Sequence, residues 1–230
     1  MPETLPLFPL QTVLLPGTTL PLHIFEPRYR QLTVDLITGA LPDKRFGVVA
    51  LAPSHEAEIT SRDQLREIGC AALLRQAKRL PDGRFDIVTA GERRFRLLAV
   101  DSSSAPYLMG AVEWVPDTPA VIPGQRDAQS TINSLIGAAR SAYRRYCQAA
   151  WQQGDWDEPA EDVAVETLAH LLATDCLLPL EDRQRLLEET RPLHRLRLAG
   201  RLLNREAGIL ATLRAVPAPP AELRHHASRN

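Results

Sequence analysis

The sequence predicts an α+β protein, a β-rich first half followed by a helical second half, and three observations lead there. Up to Val115, short runs of apolar and β-branched residues alternate with Pro, Gly and Asp turn signals. After Gly124, Gly and Pro thin out and apolar residues recur three and four apart. Between the halves, Val115 to Gly124 carries Pro116, Pro119 and Pro123, which makes it the best candidate linker. The expected units are therefore 1–118, β-rich, and 124–214, a helical bundle, with 215–230 a flexible tail.

In the first unit, Thr12 to Leu15 and Thr18 to Ile24 read as strands joined at Pro16-Gly17, because Gly accepts the positive φ a tight turn needs. Pro27 suits the first position of a helix, and Glu26 sits where the helix dipole is positive. Tyr29, Leu32 and Leu36 then mark an apolar face, and Gly39 ends the helix. Phe46 to Leu51 returns to strand. Gly69 to Leu80, the turn Pro81-Asp82-Gly83, and Arg84 to Thr89 form a hairpin in which Phe85, Ile87 and Thr89 share a face. Gly91 interrupts before Arg94 to Val100, and Tyr107 to Val115 is the last strand. Short strands with one included helix predict a small, curved or barrel-like sheet.

In the second unit, helices are predicted over Asp127 to Trp151, Glu161 to Thr174 and from Pro179 through Glu189. The last helix repeats Leu193, Leu196, Gly200, Leu203, Ala207 and Leu210 at spacings of three and four, the seam of a packed bundle.

Composition narrows the function. With 44% hydrophobic and 24% charged residues the chain can bury a core and is not of the disordered class. Positive charges number 27 and negative 28, so no global field draws it to nucleic acid or an anionic membrane. Cys70, Cys147 and Cys176 are far apart and form no C-x-x-C pair, which predicts buried free thiols in a reducing compartment. The proline-broken start lacks the basic and apolar regions of a signal peptide, and apolar runs fall well short of the ~20 residues a membrane span needs. A cytoplasmic protein is expected.

No motif for nucleotide binding or hydrolysis is present. G-x-x-x-x-G-K-[ST] and G-x-S-x-G are absent, and Lys44 and Lys78, the two lysines, stand in polar settings that would not depress a pKa for Ser-Lys chemistry. Glu166 and His170 lie four apart, but without a third ligand they predict a solvated pair and no metal site. His23 could pair with Glu26, or be satisfied by local hydrogen bonds. The one basic concentration, Arg75, Lys78, Arg79, Arg84, Arg93, Arg94 and Arg96, is a possible nucleic-acid footprint, although strand alternation would divide it between two faces.

The runs Leu5-Pro6-Leu7-Phe8-Pro9-Leu10, Val13-Leu14-Leu15-Pro16-Gly17 and Leu20-Pro21-Leu22-His23-Ile24-Phe25-Glu26-Pro27-Arg28-Tyr29 resemble the opening of the amino-terminal domain of Lon proteases. Phe46-Gly47-Val48-Val49, Leu80-Pro81-Asp82-Gly83-Arg84 and Gly91-Glu92-Arg93-Arg94-Phe95-Arg96 are similar to its later strands in the same order, and Leu178 to Leu203 to its helical part. The resemblance implies a PUA-like pseudo-barrel followed by a helical bundle, and a role in recognising polypeptides that are unfolded or partly folded, in concert with a protease or chaperone. It brings no catalytic residue and no cofactor, since the ATPase and Ser-Lys protease modules of Lon lie outside the matching region; a non-enzymatic protein is expected. Phe8, His23, Phe25, Glu26, Arg28 and Tyr29 are the signature residues taken as candidate peptide contacts, with Trp114 and Trp151 as further aromatics if exposed. RNA binding through the basic hairpin is the alternative.

Overall fold

The computed structural model describes residues 2–53, 59, 61–119, 128–151 and 156–213. The chain divides into two units, Met1–Pro116 and Asp117–Asn230. The predicted linker lies partly, and the predicted tail wholly, outside the described residues.

The first unit contains β1 (Glu3–Leu10), β2 (Thr19–Ile24), α1 (Pro27–Thr38), β3 (Arg45–Ala50), β4 (Ile68–Arg79), β5 (Phe85–Asp101) and β6 (Met109–Trp114). The strands follow the order β2-β5-β4-β3-β1-β6, and β5 also pairs with β6, which closes five of them into a ring with β2 attached outside it. The 17-residue β5 makes this possible. Its first half, Phe85 to Ala90, is flanked by β2 and β4, whereas Phe95 to Asp101 pairs with β6. β1 and β3 are the parallel pair, and all other pairings are antiparallel.

Two strand expectations are corrected. Gly91 does not interrupt β5. A Cβ at Gly91 would stand 2.3 Å from the Leu15 carbonyl oxygen, so the glycine admits a crossing backbone while the strand runs on. The first strand is Glu3–Leu10 and not Thr12 to Leu15. Pro6 and Pro9 argue against a strand, but Glu3 to Pro6 pair with β6 and Leu7 to Leu10 with β3. Each proline therefore has one flank without a ladder partner, where its missing N–H costs no sheet bond. Val13, Leu14 and Leu15 are buried as a connecting segment, closed by the Thr18 hydroxyl donating to the Leu15 carbonyl at 2.8 Å.

Leu7, Phe46, Phe95, Leu97 and Val112 are completely enclosed. Burying a side chain of this size contributes about 1.5–3 kcal/mol. The ring of Phe95 is admitted by Gly47 and Gly69, where a Cβ would lie 2.8 and 2.4 Å from its Cζ. α1 keeps the predicted bounds, with Pro27 in its first turn and Gly39 in the left-handed conformation at φ 81° ending it.

The second unit contains α2 (Ala128–Ala150), α3 (Val165–Thr174), α4 (Leu180–Glu188) and α5 (Pro192–Leu213). The α5 seam is as read from its spacing: Leu193, Leu196, Leu203 and Ala207 are buried. Polar groups hold what apolar periodicity does not. Arg183 Nη2 donates to the carbonyls of Thr174 and Cys176 at 2.7 and 3.0 Å, satisfying groups left over at the end of α3. Arg140 fixes the segment before α3 through Glu158 and the Pro159 and Ala160 carbonyls. Arg195, with no exposed surface, makes a bidentate pair with Asp117 at 2.8 and 2.9 Å and also donates to the Glu189 carbonyl. His170 is buried, which corrects the solvated Glu166-His170 pair: the imidazole belongs to the apolar stripe of α3 together with Leu168, Ala169 and Leu172. Cys70, Cys147 and Cys176 are free and buried, and burial pushes each thiol up in pKa, away from nucleophilic use.

Candidate functional site

The signature residues separate into core and surface. Phe8 stacks on Tyr29 with ring centroids 4.0 Å apart, and Phe46 lies 6.0 Å from Phe8. Both Phe8 and Tyr29 are buried, and burial raises the Tyr29 hydroxyl to about 12 in pKa. They anchor α1 to the sheet and are not available to a peptide, contrary to their candidacy. Phe25 is 41% exposed at the turn into α1, where Arg28 Nε donates to Glu26 at 2.9 Å. Val34 and Ile37 on α1 are also exposed.

His23 does not pair with Glu26. It stands opposite Asp86 in the β2–β5 ladder, with Nδ1 2.7 Å from the Asp86 carboxylate and Nε2 3.3 Å from Arg84 Nη1. Held between an acid and an arginine, the imidazole stitches an edge strand to its neighbour. Among the described residues no group of three or more His, Cys, Asp or Glu is placed to hold a metal.

The fold engages part of the basic hairpin. Arg94 is buried, at 3% exposure. Arg93 lies over the Trp114 ring at 3.4 Å, so this cation and this aromatic occupy each other. Arg96 pairs with Glu67 at 2.8 Å and Arg84 with Asp82. The sheet register sets Arg79 opposite Phe85 on one face and Lys78 opposite Asp86 on the other. Arg75, Lys78 and Arg79 stay exposed on β4, so a smaller set than the seven is open to a phosphate backbone.

A concave site does form in the second unit, between α2 and α5 and beside the end of α4. It is a groove of about 990 Å³. Its floor is apolar, from Leu135, Ala138 and Ala139 of α2 and Leu198 and Gly200 of α5. Gly200 faces Ala139, where an added Cβ would come into ordinary van der Waals contact at 3.6 Å from the Ala139 Cα. Its rim is charged: His194, Arg197 and Arg201 of α5 on one side, with Arg185, Glu188 and Arg191 at the α4 end. At the end of the groove Glu189 takes a bidentate bond from Arg191 at 2.9 Å, and that contact lowers its carboxyl pKa to about 2. An apolar floor under a charged rim can bury side chains of a polypeptide and orient it by polar contacts. The α5 seam was legible in the sequence but the stripe beside it was passed over, although His194, Arg197 and Arg201, three and four apart, were its visible signal.

The family described as ATP-dependent protease La (LON) substrate-binding domain matches residues 4–205. The chain belongs to this family. Among curated relatives, Lon protease of Anaeromyxobacter dehalogenans is 28% identical over 218 residues, covering 91% of this chain and 24% of that protein. Lon protease 1 of Thermus thermophilus is 28% identical over 210 residues, covering 88% and 24%. The chain thus spans about a quarter of the length of these relatives. Of solved structures, the N-terminal domain of Mycobacterium avium complex Lon protease superposes with a TM-score of 0.64 at 20% identity, covering 87% of this chain and 98% of that one. The Lon N-terminal domain protein of Xanthomonas campestris gives 0.53 at 24% identity, covering 85% and 95%. These likenesses establish the fold, and membership of a substrate-binding family supports a role in substrate recognition. No helix among the described residues is long and apolar enough to cross a membrane.

Proposed function

We propose that this chain is a non-catalytic recognition module for unfolded or partly folded polypeptides, acting in the cytoplasm and delivering what it binds to a protease or chaperone. The observation that carries the reading is the α2/α5 groove, which joins an apolar floor to a charged rim on a chain of the Lon substrate-binding family. Family membership supplies the substrate class, polypeptide, and the groove supplies a surface of the right chemistry. The units 1–118 and 124–214 would act as framework and binding element, with Phe25, Glu26 and Arg28 as a second, shallower contact on the first unit. No cofactor is required by this role, because binding and release consume no bond.

Photocrosslinking tests it. An unfolded polypeptide, reduced and carboxymethylated, should crosslink from a photoreactive residue placed at Ala138 at micromolar protein, and far less from one placed at exposed Leu98 of β5. Equal labelling from both positions, or none, would reject the groove as the site. Peptidase activity of the purified chain, with or without ATP, would reject the non-catalytic part.

A further inference from the structure

We infer that the α2/α5 groove selects an acidic amphipathic helix of another polypeptide, its apolar face on Leu135 and Ala138 and its carboxylates on Arg197 and Arg201. The inference rests on the groove being the polypeptide site, and adds which polypeptides it prefers.

Four arginines line the groove against two glutamates. Glu189 is engaged by Arg191 and Glu188 accepts from Gln184 Nε2 at 2.9 Å, so neither acid serves the centre. On α5, Arg195 pairs with Asp117, and Arg205 with Asp182 and Glu206. Arg197 and Arg201 are exposed and form no ion pair among the described residues. One turn apart, with Cβ atoms about 6 Å from each other, these like charges repel. An incoming pair of carboxylates with the same i, i+4 spacing relieves that repulsion. From His194 to Asn204 the groove runs about three turns, roughly 15 Å, enough to seat a short helix. The apolar floor and the glutamates at one end disfavour a phosphate backbone. Residues 214–230 of this chain hold Arg214, Arg224, Arg229, His225 and His226 against Glu222, the same sign as the rim, so they do not complement it.

The probe is a labelled helix-forming peptide with leucines on one face and glutamates on the other, compared with twins carrying Gln or Lys in place of Glu. Its binding to the full chain is read by fluorescence anisotropy. Two well-placed rim charges should favour the Glu peptide over the Gln peptide by about tenfold. That advantage should shrink as salt shortens the screening length, and R197E/R201E should reverse the order in favour of the Lys peptide. Equal binding of Glu and Gln peptides, unchanged in R197E/R201E, overturns the acidic preference; if Ala138→Trp weakens both, the groove itself still stands as the site. If Ala138→Trp, with an unaltered thermal melt, leaves every peptide affinity unchanged, the groove reading falls as well. Displacement of the Glu peptide by single-stranded RNA at lower concentration than by unlabelled peptide, or loss of binding through self-association seen by sedimentation, also overturns the inference.

Discussion

The two units solve the same packing problem with opposite means. The barrel fills its centre with hydrocarbon: Leu7, Phe46, Phe95, Leu97 and Val112, with Arg94 the one charged residue among the buried side chains of its described residues. The bundle buries Arg140, Asp182 and Arg195. A closed sheet satisfies its backbone internally, so its interior can be apolar. Short helices leave carbonyls over at their C-terminal ends, to which Arg183 and Arg195 donate, and the irregular segments between them leave others, to which Arg140 donates. The lesson is that an arginine in the bundle is structural when its donors are used up inside, and open to a ligand when they are not. Arg195 and Arg197, two positions apart on α5, stand on opposite sides of that division.

Arg195→Ala should show the largest effect, a loss of about 3–5 kcal/mol in urea denaturation, because Asp117 and the Glu189 carbonyl lose their donors in a buried setting. The pair Arg195→Met with Asp117→Leu should recover much of it, since the uncompensated charge is then gone. Full destabilisation persisting in the double variant would show that the backbone bonds, and not the ion pair, carry the effect. In the barrel the corresponding test is steric. Gly69→Ala drives a Cβ onto the Phe95 ring and toward the Val48 carbonyl oxygen, and should cost about 1–3 kcal/mol. Adding Phe95→Leu should return only the part owed to the ring.

Acid should act on the bundle through Glu189. Arg191 holds its folded carboxyl pKa at about 2, below the ordinary 4.5, so its contribution is present above the unfolded value and is lost as pH falls from about 4.5 toward 2. Thermal melts across that range should fall less steeply for Glu189→Gln than for the parent; identical slopes would remove Glu189 from the account. The smallest effect is expected at Arg197→Gln, within about 0.5 kcal/mol of the parent, as befits an exposed side chain with a like charge one turn away.

Much of this architecture was legible in the residues. Pro27 and Gly39 bracket α1, Pro81-Asp82-Gly83 turns β4 into β5, and the leucine spacing of α5 gives its seam. Where local signals misled, a nonlocal partner decided: β1 tolerates Pro6 and Pro9 because its halves pair on different sides, and Gly91 serves Leu15, 76 positions away, and not a break in its own strand. The site was less legible for the same reason. Phe8 and Tyr29 look equally suited to contact or core until their 4.0 Å stacking is known. The groove is assembled by α2 and α5 from Ala138 and Ala139, too small to draw notice in a sequence, and from Gly200, which its spacing marks only as part of the seam. Arg195 carries no local mark that separates it from Arg197.

The most direct test of polypeptide recognition through the helical groove is the affinity of a reduced, carboxymethylated polypeptide for the parent chain and for Ala138→Trp, whose indole would fill the floor. With both proteins melting at the same temperature, micromolar binding by the parent and at least about tenfold weaker binding by the variant are predicted. Equal affinities would contradict the account.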